Sequence, residues 1–414
     1  MRKKRVCIRG FVAGNLGDDL FFITLCHRYP GTQFVLCGEK KYKHLFESVK
    51  NLRYVSTDEW YLSILIRLLK LPAWSLNHIL QACHIRYRFP VFDYFTMISQ
   101  NSTVNLLLSG SLFIESPDGA NINDPYYRRE RAYYRNRPYV IGCNFGPYYT
   151  NRYYEFYQRC FHLARQVSFR DHWSAELFPY DHVSWAPDVL FTYEKEDALL
   201  PQEKGYVLIC VADLLKDQHK NADKKELRNR QINYENALVQ LMISKLKLKK
   251  EVVLMGFCRS QGDHVVIDRL MEAVNKEYKV TPGSIRTVIY PDITYRQAVG
   301  LCAGAGLIVA TRFHAMILGW LYGKRVIPIV YSSKMLHVIE DLNESIDYVT
   351  TEELEQQPEK LCQIMQEGRV GELHSKQHTR QHTEQHTELH TELHMDKITA
   401  EAQRHFIMLD QLLS

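Results

Sequence analysis

Several common sequence signatures are missing from this chain of 414 residues. Its ten cysteines form no C-x-x-C pair, which excludes a zinc ribbon or a paired redox site and favours a reducing compartment. No run of about 18 uncharged apolar residues is present, so we expect no membrane-spanning helix. The start MRKKR is basic, but Arg9, Asn15 and Asp18 interrupt the stretch after it, and no signal peptide is expected. These absences indicate a cytoplasmic protein.

A strong excess of one charge is also missing. The chain has 52 Lys plus Arg against 47 Asp plus Glu, a formal net charge of +5, which is too small for a dedicated nucleic-acid binder. Apolar residues make up 46% and charged residues 24% of the sequence, so the chain as a whole is not disordered. Its length is typical of two or three domains with a large core.

Short apolar segments alternate with helical patterns along the chain. The helices are predicted at residues 18–28, 155–166, 233–245, 263–277, 295–303 and 313–322. The strands are predicted at residues 5–11, 33–37, 104–108, 139–143, 167–170, 206–212, 251–256, 287–290, 307–310 and 326–330. Strands that are apolar along their whole length and are separated by helices indicate parallel sheets covered on both faces.

The pattern restarts once, close to residue 187. We therefore expect an α/β fold of two Rossmann-like, doubly wound domains that face each other across a cleft, with boundaries at 1–186 and 187–350. A linker is expected at 351–397, and a C-terminal amphipathic helix that packs back on the body is expected at 398–414.

One basic stretch stands outside this pattern. Residues 60–92 contain no acid and carry four cations among Leu, Ile and Trp: Arg67, Lys70, Arg86 and Arg88. Such a segment can lie on an anionic membrane surface, which would make the protein peripheral at the inner face of the membrane. The alternative, which the poorly segregated helical face favours, is a core helix with a solvated basic edge.

A second stretch is a tetrapeptide repeat rich in His, Thr and Glu. Six histidines recur every four residues, at His374, His378, His382, His386, His390 and His394. On a helix they would form one stripe able to bind a metal. A polar linker or helical spacer is the favoured interpretation, and no metal site is predicted elsewhere.

Candidate chemistry lies where predicted strands end. The first strand runs into the sequence GNLGDD, residues 14–19, which opens a helix but lacks the spacing of a dinucleotide fingerprint. Asn15 and Gly17 would bring backbone close to a ligand. Asp18 and Asp19 suit hydroxyl binding or base catalysis, and equally suit plain capping of the helix.

Three other strand ends supply small or cationic residues. Two of them are glycine-containing turns that hold Gly110, Ser111 and Gly146, where backbone could line the cleft. Arg170 follows the third, a short strand, and is a candidate anion ligand.

The strand at residues 307–310 carries the most specific signal. It is followed by Thr311, Arg312, Phe313 and His314 at the start of an apolar helix, which places a fixed cation and a titratable group beside free N–H donors. Such a site suits a phosphorylated or carboxylated substrate that must be protonated. Lys334 follows the next strand and would add a second cation at the same edge.

Taken in order, these motifs resemble those of the polysaccharide pyruvyl transferases over roughly residues 5–345. Two small-for-small departures from the family pattern are Ser109, where a glycine triplet is usual, and Thr311, where serine is common. The resemblance rests on residues 14–19, 109–111, 142–147, 170–171, 187–188, 311–314, and 331 with 334.

The resemblance implies a GT-B-like fold with an acceptor-side first domain and a donor-side second domain. It implies phosphoenolpyruvate as donor, with no other cofactor. The acceptor would be a sugar of a surface glycan, such as a capsule, exopolysaccharide or lipopolysaccharide, or its lipid-linked oligosaccharide precursor. The product would be a cyclic pyruvate ketal.

The expected roles depend on that chemistry. His314 would protonate the enol methylene, and Asp18 or Asp19 would take the proton of the attacking hydroxyl. Arg312 and Arg170, then Lys334, would hold the phosphate and carboxylate of the donor. The remaining substrate-binding positions are expected at Asn15, Gly17, Gly110, Ser111 and Gly146.

Two alternatives remain open at this point. One is a nucleotide-sugar glycosyltransferase of the same architecture, in which Arg312 and Lys334 hold a diphosphate. The other is a non-catalytic glycan-binding or membrane-surface protein, for which phosphoenolpyruvate would release no phosphate with any acceptor.

Overall fold

The computed structural model describes residues 4–56, 102–122, 124–216, 224–342, 346–366 and 395–413. The basic stretch at 60–92 and the histidine repeat at 374–394 lie outside the described residues, so their proposed roles stay predictions. None of the described helices has both the length and the apolar character needed to cross a bilayer.

The first domain is built on a parallel sheet of seven strands in the order β3-β2-β1-β4-β5-β6-β7. Its strands are β1 (Arg5–Arg9), β2 (Gln33–Gly38), β3 (Leu52–Ser56), β4 (Val104–Leu108), β5 (Tyr139–Cys143), β6 (Gln166–Phe169) and β7 (Val183–Trp185). Its helices are α1 (Leu16–Arg28), α2 (Pro125–Tyr134), α3 (Asn151–Leu163) and α4 (His172–Glu176).

The second domain repeats the plan with six parallel strands in the order β10-β9-β8-β11-β12-β13. These are β8 (Val207–Val211), β9 (Val252–Gly256), β10 (Ile285–Ile289), β11 (Leu307–Ala310), β12 (Arg325–Val330) and β13 (Val349–Thr350). Its helices are α5 (Lys224–Lys247), α6 (Asp263–Glu277), α7 (Tyr295–Gly304), α8 (Phe313–Leu321), α9 (Ser333–Asp341), α10 (Thr351–Gln356) and α11 (Lys360–Gln366).

The predicted α/β fold of two doubly wound domains is confirmed. The central strands β5, β8 and β9 are buried at every residue, as their uninterrupted apolar sequences predict. The strand order reverses between β1 and β4 in the first sheet and between β8 and β11 in the second. A doubly wound sheet opens a crevice at the carboxyl ends of the strands on either side of such a reversal.

The sequence pattern does not predict three of the strands, and all three lie at sheet edges. β3 exposes Arg53, no residue of β7 is fully buried, and β13 has only two residues. An edge strand is paired and covered on one side only, so its sequence lacks the continuous apolar run that identifies a central strand.

Helix α1 joins the two domains. Eleven consecutive residues, from Leu16 to Cys26, are buried, and the helix packs against α7 and α8 of the second domain. The N–H of Leu16 donates to the carbonyl of Phe257 at 3.0 Å, and the Tyr290 hydroxyl donates to Asp19 at 2.8 Å. One continuous apolar core therefore runs through both domains.

The C-terminal segment crosses back to the first domain, as its amphipathic pattern predicts. Residues 395–402 are helical and lead into α12 (Ile407–Leu413). Arg28 of α1 donates two hydrogen bonds to the Asp410 carboxylate, at 3.0 and 2.6 Å. His405 is fully buried; its Nε2 donates to the carbonyl of Pro187 at 2.9 Å, and its Nδ1 accepts from the Ser168 hydroxyl at 2.7 Å.

The burial of His405 predicts how the free energy of unfolding changes with pH. Burial lowers the pKa of His405 from 6.5 to about 4, so between these values the unfolded chain binds a proton that the folded chain excludes. We expect this one group to lower the free energy of unfolding by about 2 kcal/mol between pH 7 and pH 5. Urea denaturation at both pH values measures how much unfolding free energy wild type and His405→Asn lose. The additional loss in wild type is the contribution of His405. An equal loss in both proteins would contradict it.

Candidate active site

A cavity of about 260 Å³ lies where the carboxyl ends of the two sheets face each other. Both domains contribute to its walls. The lining residues from the first domain are Phe11, Asn15, Asp18, Gly110, Ser111, Ile114 and Arg170. Those from the second domain are Ala212, Asp213, Lys216, Phe257, Gln261, Arg312, Phe313, His314, Tyr331 and Lys334.

Arg170, directly after β6, is the most highly connected cation of the cavity. Its Nη1 donates to Asp188 at 3.2 Å, and its Nη2 donates to Asn144 at 2.7 Å and to Ser111 at 3.1 Å. The guanidinium carbon also lies 4.4 Å from the centre of the Phe313 ring. The side chain is buried, so these contacts fix the position of the positive charge.

His314 lies in the first turn of α8, and its Nε2 is 3.4 Å from Nη1 of Arg170. The ring meets Phe21 of α1 edge-on, with the ring centres 5.2 Å apart. Burial, and then the positive charges of Arg170, Lys334 and Arg312, hold the pKa of His314 well below 6.5. The imidazole is therefore neutral at pH 7 while the cavity holds no anion.

Arg312, the N-cap residue of α8, is held by two partners from the second domain. Its Nε donates to Asp263 at 3.1 Å, its Nη2 pairs with the other oxygen of that carboxylate, and its Nη1 donates to Gln261. Asp263 also accepts the backbone N–H groups of Phe257 at 2.8 Å and Cys258 at 3.0 Å. Asp263 thus orients Arg312 and neutralises part of its charge.

Lys334, in the first turn of α9, differs from Arg170 and Arg312 in its ion-pair partners. Within the part of the chain that the structure describes, no carboxylate lies within 4.0 Å of its ammonium group. Its charge is therefore available to an anion in the cavity. Lys216, which also lines the cavity from the second domain, adds a further cation.

Asp18 lines the cavity from the first turn of α1. Its carboxylate accepts from the Ser109 hydroxyl at 2.9 Å and from the Gly110 N–H at 3.5 Å. Burial raises its pKa, against the opposing effects of Ser109 and Arg170. A carboxylate with a raised pKa can accept a proton close to neutral pH.

Asp19, which the sequence analysis grouped with Asp18, lies outside the cavity lining. It is fully buried at the domain interface, where one oxygen accepts from Tyr290 and the other has no partner among the described residues. Burial raises its pKa well above the usual value. Because adjacent helical residues point in different directions, only Asp18 is placed to meet a substrate.

Two of the predicted glycines make room for side chains of the cavity. A Cβ atom on Gly17 would lie 1.6 Å from Nδ1 of His314, and one on Gly110 would lie 2.7 Å from Nη1 of Arg170. Gly110 also lines the cavity, as do Asn15 and Ser111, whereas Gly17 does not. Gly146 also lies outside the lining; its backbone has φ of 97° and its N–H donates to a neighbouring loop.

Several residues of the site were not singled out from the sequence. Asn144 and Asp188, which hold Arg170, lie within the motifs used for the family resemblance but were assigned no role. Asp263 is far along the chain from every motif, and its only signal is its position at the start of a helix. Asp213 and Phe11 follow central strands, and that position could have identified them.

An α/β protein with a cation-lined cleft between two Rossmann-like domains is the class that this geometry defines. The chain belongs to the polysaccharide pyruvyl transferase family, whose sequence model matches residues 15–333. The family is one of transferases in polysaccharide biosynthesis. A comparison with curated proteins finds no match.

Solved structures resemble the whole chain at low sequence identity. UDP-GlcNAc 2-epimerase from Neisseria meningitidis, bound to UDP-GlcNAc, is 11% identical with a TM-score of 0.51, covering 99% of each chain. Anabaena HepE in complex with UDP and glucose is 11% identical with a TM-score of 0.50, covering 100% of this chain and 98% of that one. These similarities concern the fold alone, and they confirm the predicted GT-B-like arrangement.

The contact between Gly17 and His314 gives a prediction. Alanine normally stabilises a helix relative to glycine by about 1 kcal/mol, but Gly17→Ala would force His314 out of its position. We expect a lower melting temperature and a changed imidazole NMR signal for His314. Gly31→Ala is the matched control, because its Cβ meets nothing within 4 Å. A Gly17→Ala protein with wild-type stability and an unchanged His314 signal would contradict the prediction.

Proposed function

We propose that this protein transfers pyruvate from phosphoenolpyruvate to two hydroxyls of one sugar in a surface polysaccharide, or in its lipid-linked precursor, to form a pyruvate ketal. One observation carries the proposal. In a chain of the pyruvyl transferase family, Arg170, Arg312 and Lys334 surround a single histidine, His314, in one cavity. Fixed cations around a titratable group suit a donor that has two anionic groups and must be protonated.

The cations have different tasks in this proposal. Arg170 and Arg312 are fixed by buried carboxylates, so they define where the phosphate and carboxylate of the donor lie. Lys334 has no carboxylate partner among the described residues, and it compensates the remaining negative charge.

The reaction balances without a further reactant. His314 gives a proton to the methylene carbon of phosphoenolpyruvate, which makes a methyl group and leaves C2 electron-deficient. One sugar hydroxyl adds to C2, the C–O bond to phosphate breaks, and the second hydroxyl closes the ketal. Of the two hydroxyl protons, one is taken up by Asp18 and the other leaves with phosphate; Asp18 then loses its proton to solvent, and His314 regains one from solvent, so the reaction balances.

The electrostatics of His314 couple its protonation to donor binding. In the free protein burial, and then the charges of Arg170, Lys334 and Arg312, lower the pKa of His314 and keep the imidazole neutral. An anionic donor offsets these charges and raises the pKa of His314. The acid is thus formed when the donor is in place, and phosphoenolpyruvate affinity rises as pH falls.

Asp18 is the proposed proton acceptor for the attacking hydroxyl. It is the first-domain carboxylate of the cavity lining, and its raised pKa suits proton transfer near neutral pH. Asp19 does not fit this role, because it is enclosed at the domain interface.

Mass spectrometry of the surface glycan from cells with and without the gene tests the function. The proposal expects loss of one pyruvyl ketal per repeat unit, and an unchanged glycan mass would reject it. A thermal-shift comparison of phosphoenolpyruvate with nucleotide sugars separates it from a glycosyltransferase, because a ligand selective for the folded state raises its melting temperature.

His314→Ala should lower phosphate release from phosphoenolpyruvate by a factor of about 10² to 10⁴, the usual contribution of a general acid. His314→Asn should also lose the part of the pH dependence of donor affinity that proton uptake causes. His162→Ala, an exposed histidine outside the cavity, is the control. Near-wild-type turnover in His314→Ala would remove His314 from the mechanism.

Arg312→Lys should raise the apparent KM for phosphoenolpyruvate by about tenfold, because lysine cannot reproduce a bidentate guanidinium fork. The KM for the acceptor should change little. Arg259→Lys is the matched control, since Arg259 pairs with Asp292 outside the cavity lining. An unchanged KM for phosphoenolpyruvate in Arg312→Lys would count against the assignment.

A further inference from the structure

We propose that Phe11 and Asp213 form the acceptor subsite of this cavity and take a neutral sugar ring between the two domains. In this subsite the ring of Phe11 packs on the apolar face of a pyranose, and the carboxylate of Asp213 accepts hydrogen bonds from its hydroxyls. The inference rests on the proposed function, because it assigns the acceptor a place beside the donor cations.

Phe11 is an unusual aromatic residue for its position. It follows β1, a central strand of the first sheet, yet 41% of it is exposed, and the exposed ring lines the cavity. The neighbouring apolar residues of β1 and α1 are almost all buried. The face of an aromatic ring carries partial negative charge, which attracts the C–H groups on one side of a pyranose.

Asp213 supplies the polar half of the subsite from the opposite domain. It follows β8, the central strand of the second sheet, and its Oδ1 accepts the N–H of Leu215 at 3.1 Å. Its Oδ2 lies against Gly262, where a Cβ atom would be only 2.7 Å away, and the αL backbone of that glycine, with φ of 87°, keeps the space open. The carboxylate is therefore held in one orientation.

The second oxygen of this carboxylate, Oδ2, which lies beside Gly262, has no hydrogen-bond donor among the described residues. The Asp213 side chain is only half-buried. Burial raises the pKa of Asp213, while Lys216 and Arg269 oppose that shift. Lys216 lines the same wall and can donate to a sugar oxygen.

The segment that carries Phe11 is joined to the second domain by backbone contacts. The N–H of Leu16 donates to the carbonyl of Phe257, and Asn15 forms an antiparallel bridge with Cys258. Both contacts join the segment after β1, which also carries Phe11, to the loop after β9. Phe11 and Asp213 therefore line one cavity from two domains that are hydrogen-bonded to each other.

The chemistry of this opening favours a neutral sugar over a second anion. A carboxylate repels phosphate groups, and an exposed phenyl ring offers them no donor. A pyranose satisfies both groups at once, since it presents an apolar face together with hydroxyl donors. The base of a nucleoside diphosphate could stack on Phe11, but its phosphates would be repelled by the carboxylate of Asp213.

Saturation-transfer NMR on the full chain tests the subsite with methyl glucoside, methyl galactoside and methyl mannoside, in both anomers, with and without phosphoenolpyruvate. Phe11→Leu and Asp213→Asn should each weaken the binding of the best glycoside by about tenfold, whereas Phe11→Tyr should recover most of the affinity. Asp268→Asn, which changes an exposed acid of α6 outside the cavity, should bind as wild type does. The melting-temperature shift caused by phosphoenolpyruvate should persist in all four variants.

The outcomes separate this inference from the proposed function. Glycoside binding that depends on Phe11 and Asp213 supports the subsite even if no phosphate is released, a result that would reject pyruvyl transfer alone. The subsite is overturned if no glycoside in the panel binds, or if Phe11→Leu and Asp213→Asn bind as wild type does. Binding of UDP-glucose that requires Phe11 and excludes the glycosides would also overturn it.

Discussion

The buried ion pair between Arg170 and Asp188 is the interaction on which the cleft depends. A guanidinium removed from water is tolerated only if its charge and its donors are satisfied, and here loops after four strands of the first domain contribute. Asp188 supplies the charge, Ser111 and Asn144 accept hydrogen bonds, and Gly110 leaves the space. The second domain closes the arrangement from the other side, where the Phe313 ring covers the cation and His314 contacts it.

The cations of the cavity are of two kinds. Two arginines are held in place by carboxylates, whereas Lys334 is not held by one among the described residues. Arg170 and Arg312 each have a buried aspartate as a permanent partner, so their positions are set before any ligand arrives. Preorganised charges lose little energy to rearrangement when charge develops during a reaction. Lys334 has no carboxylate partner among the described residues, so in the proposed reaction its side chain would be free to follow the changing charge of the donor.

The sequence predicts the central strands better than the edge strands, and it predicts site residues within local motifs better than those that depend on distant contacts. β5 and β8 are identifiable because a strand covered on both faces must be apolar throughout, whereas β3, β7 and β13 lie at edges where that demand is relaxed. In the same way, the sequence points to Arg312 and His314 at the end of a central strand, but it does not point to Phe11 and Asp213, which also follow central strands, or to Asp263. Its importance comes from its contact with Arg312, 49 positions away, and no local pattern records such a contact.

Helix α1 also determines how molecules enter and leave the cleft. Because Leu16 to Cys26 are buried between the domains, a hinge opening on that side would expose a continuous apolar surface, at a cost of roughly 25 cal/mol for each Å². The two domains therefore stay joined along α1 throughout the turnover cycle. Under the proposed function, an acceptor glycan would therefore reach the cavity from a side other than the one that α1 closes.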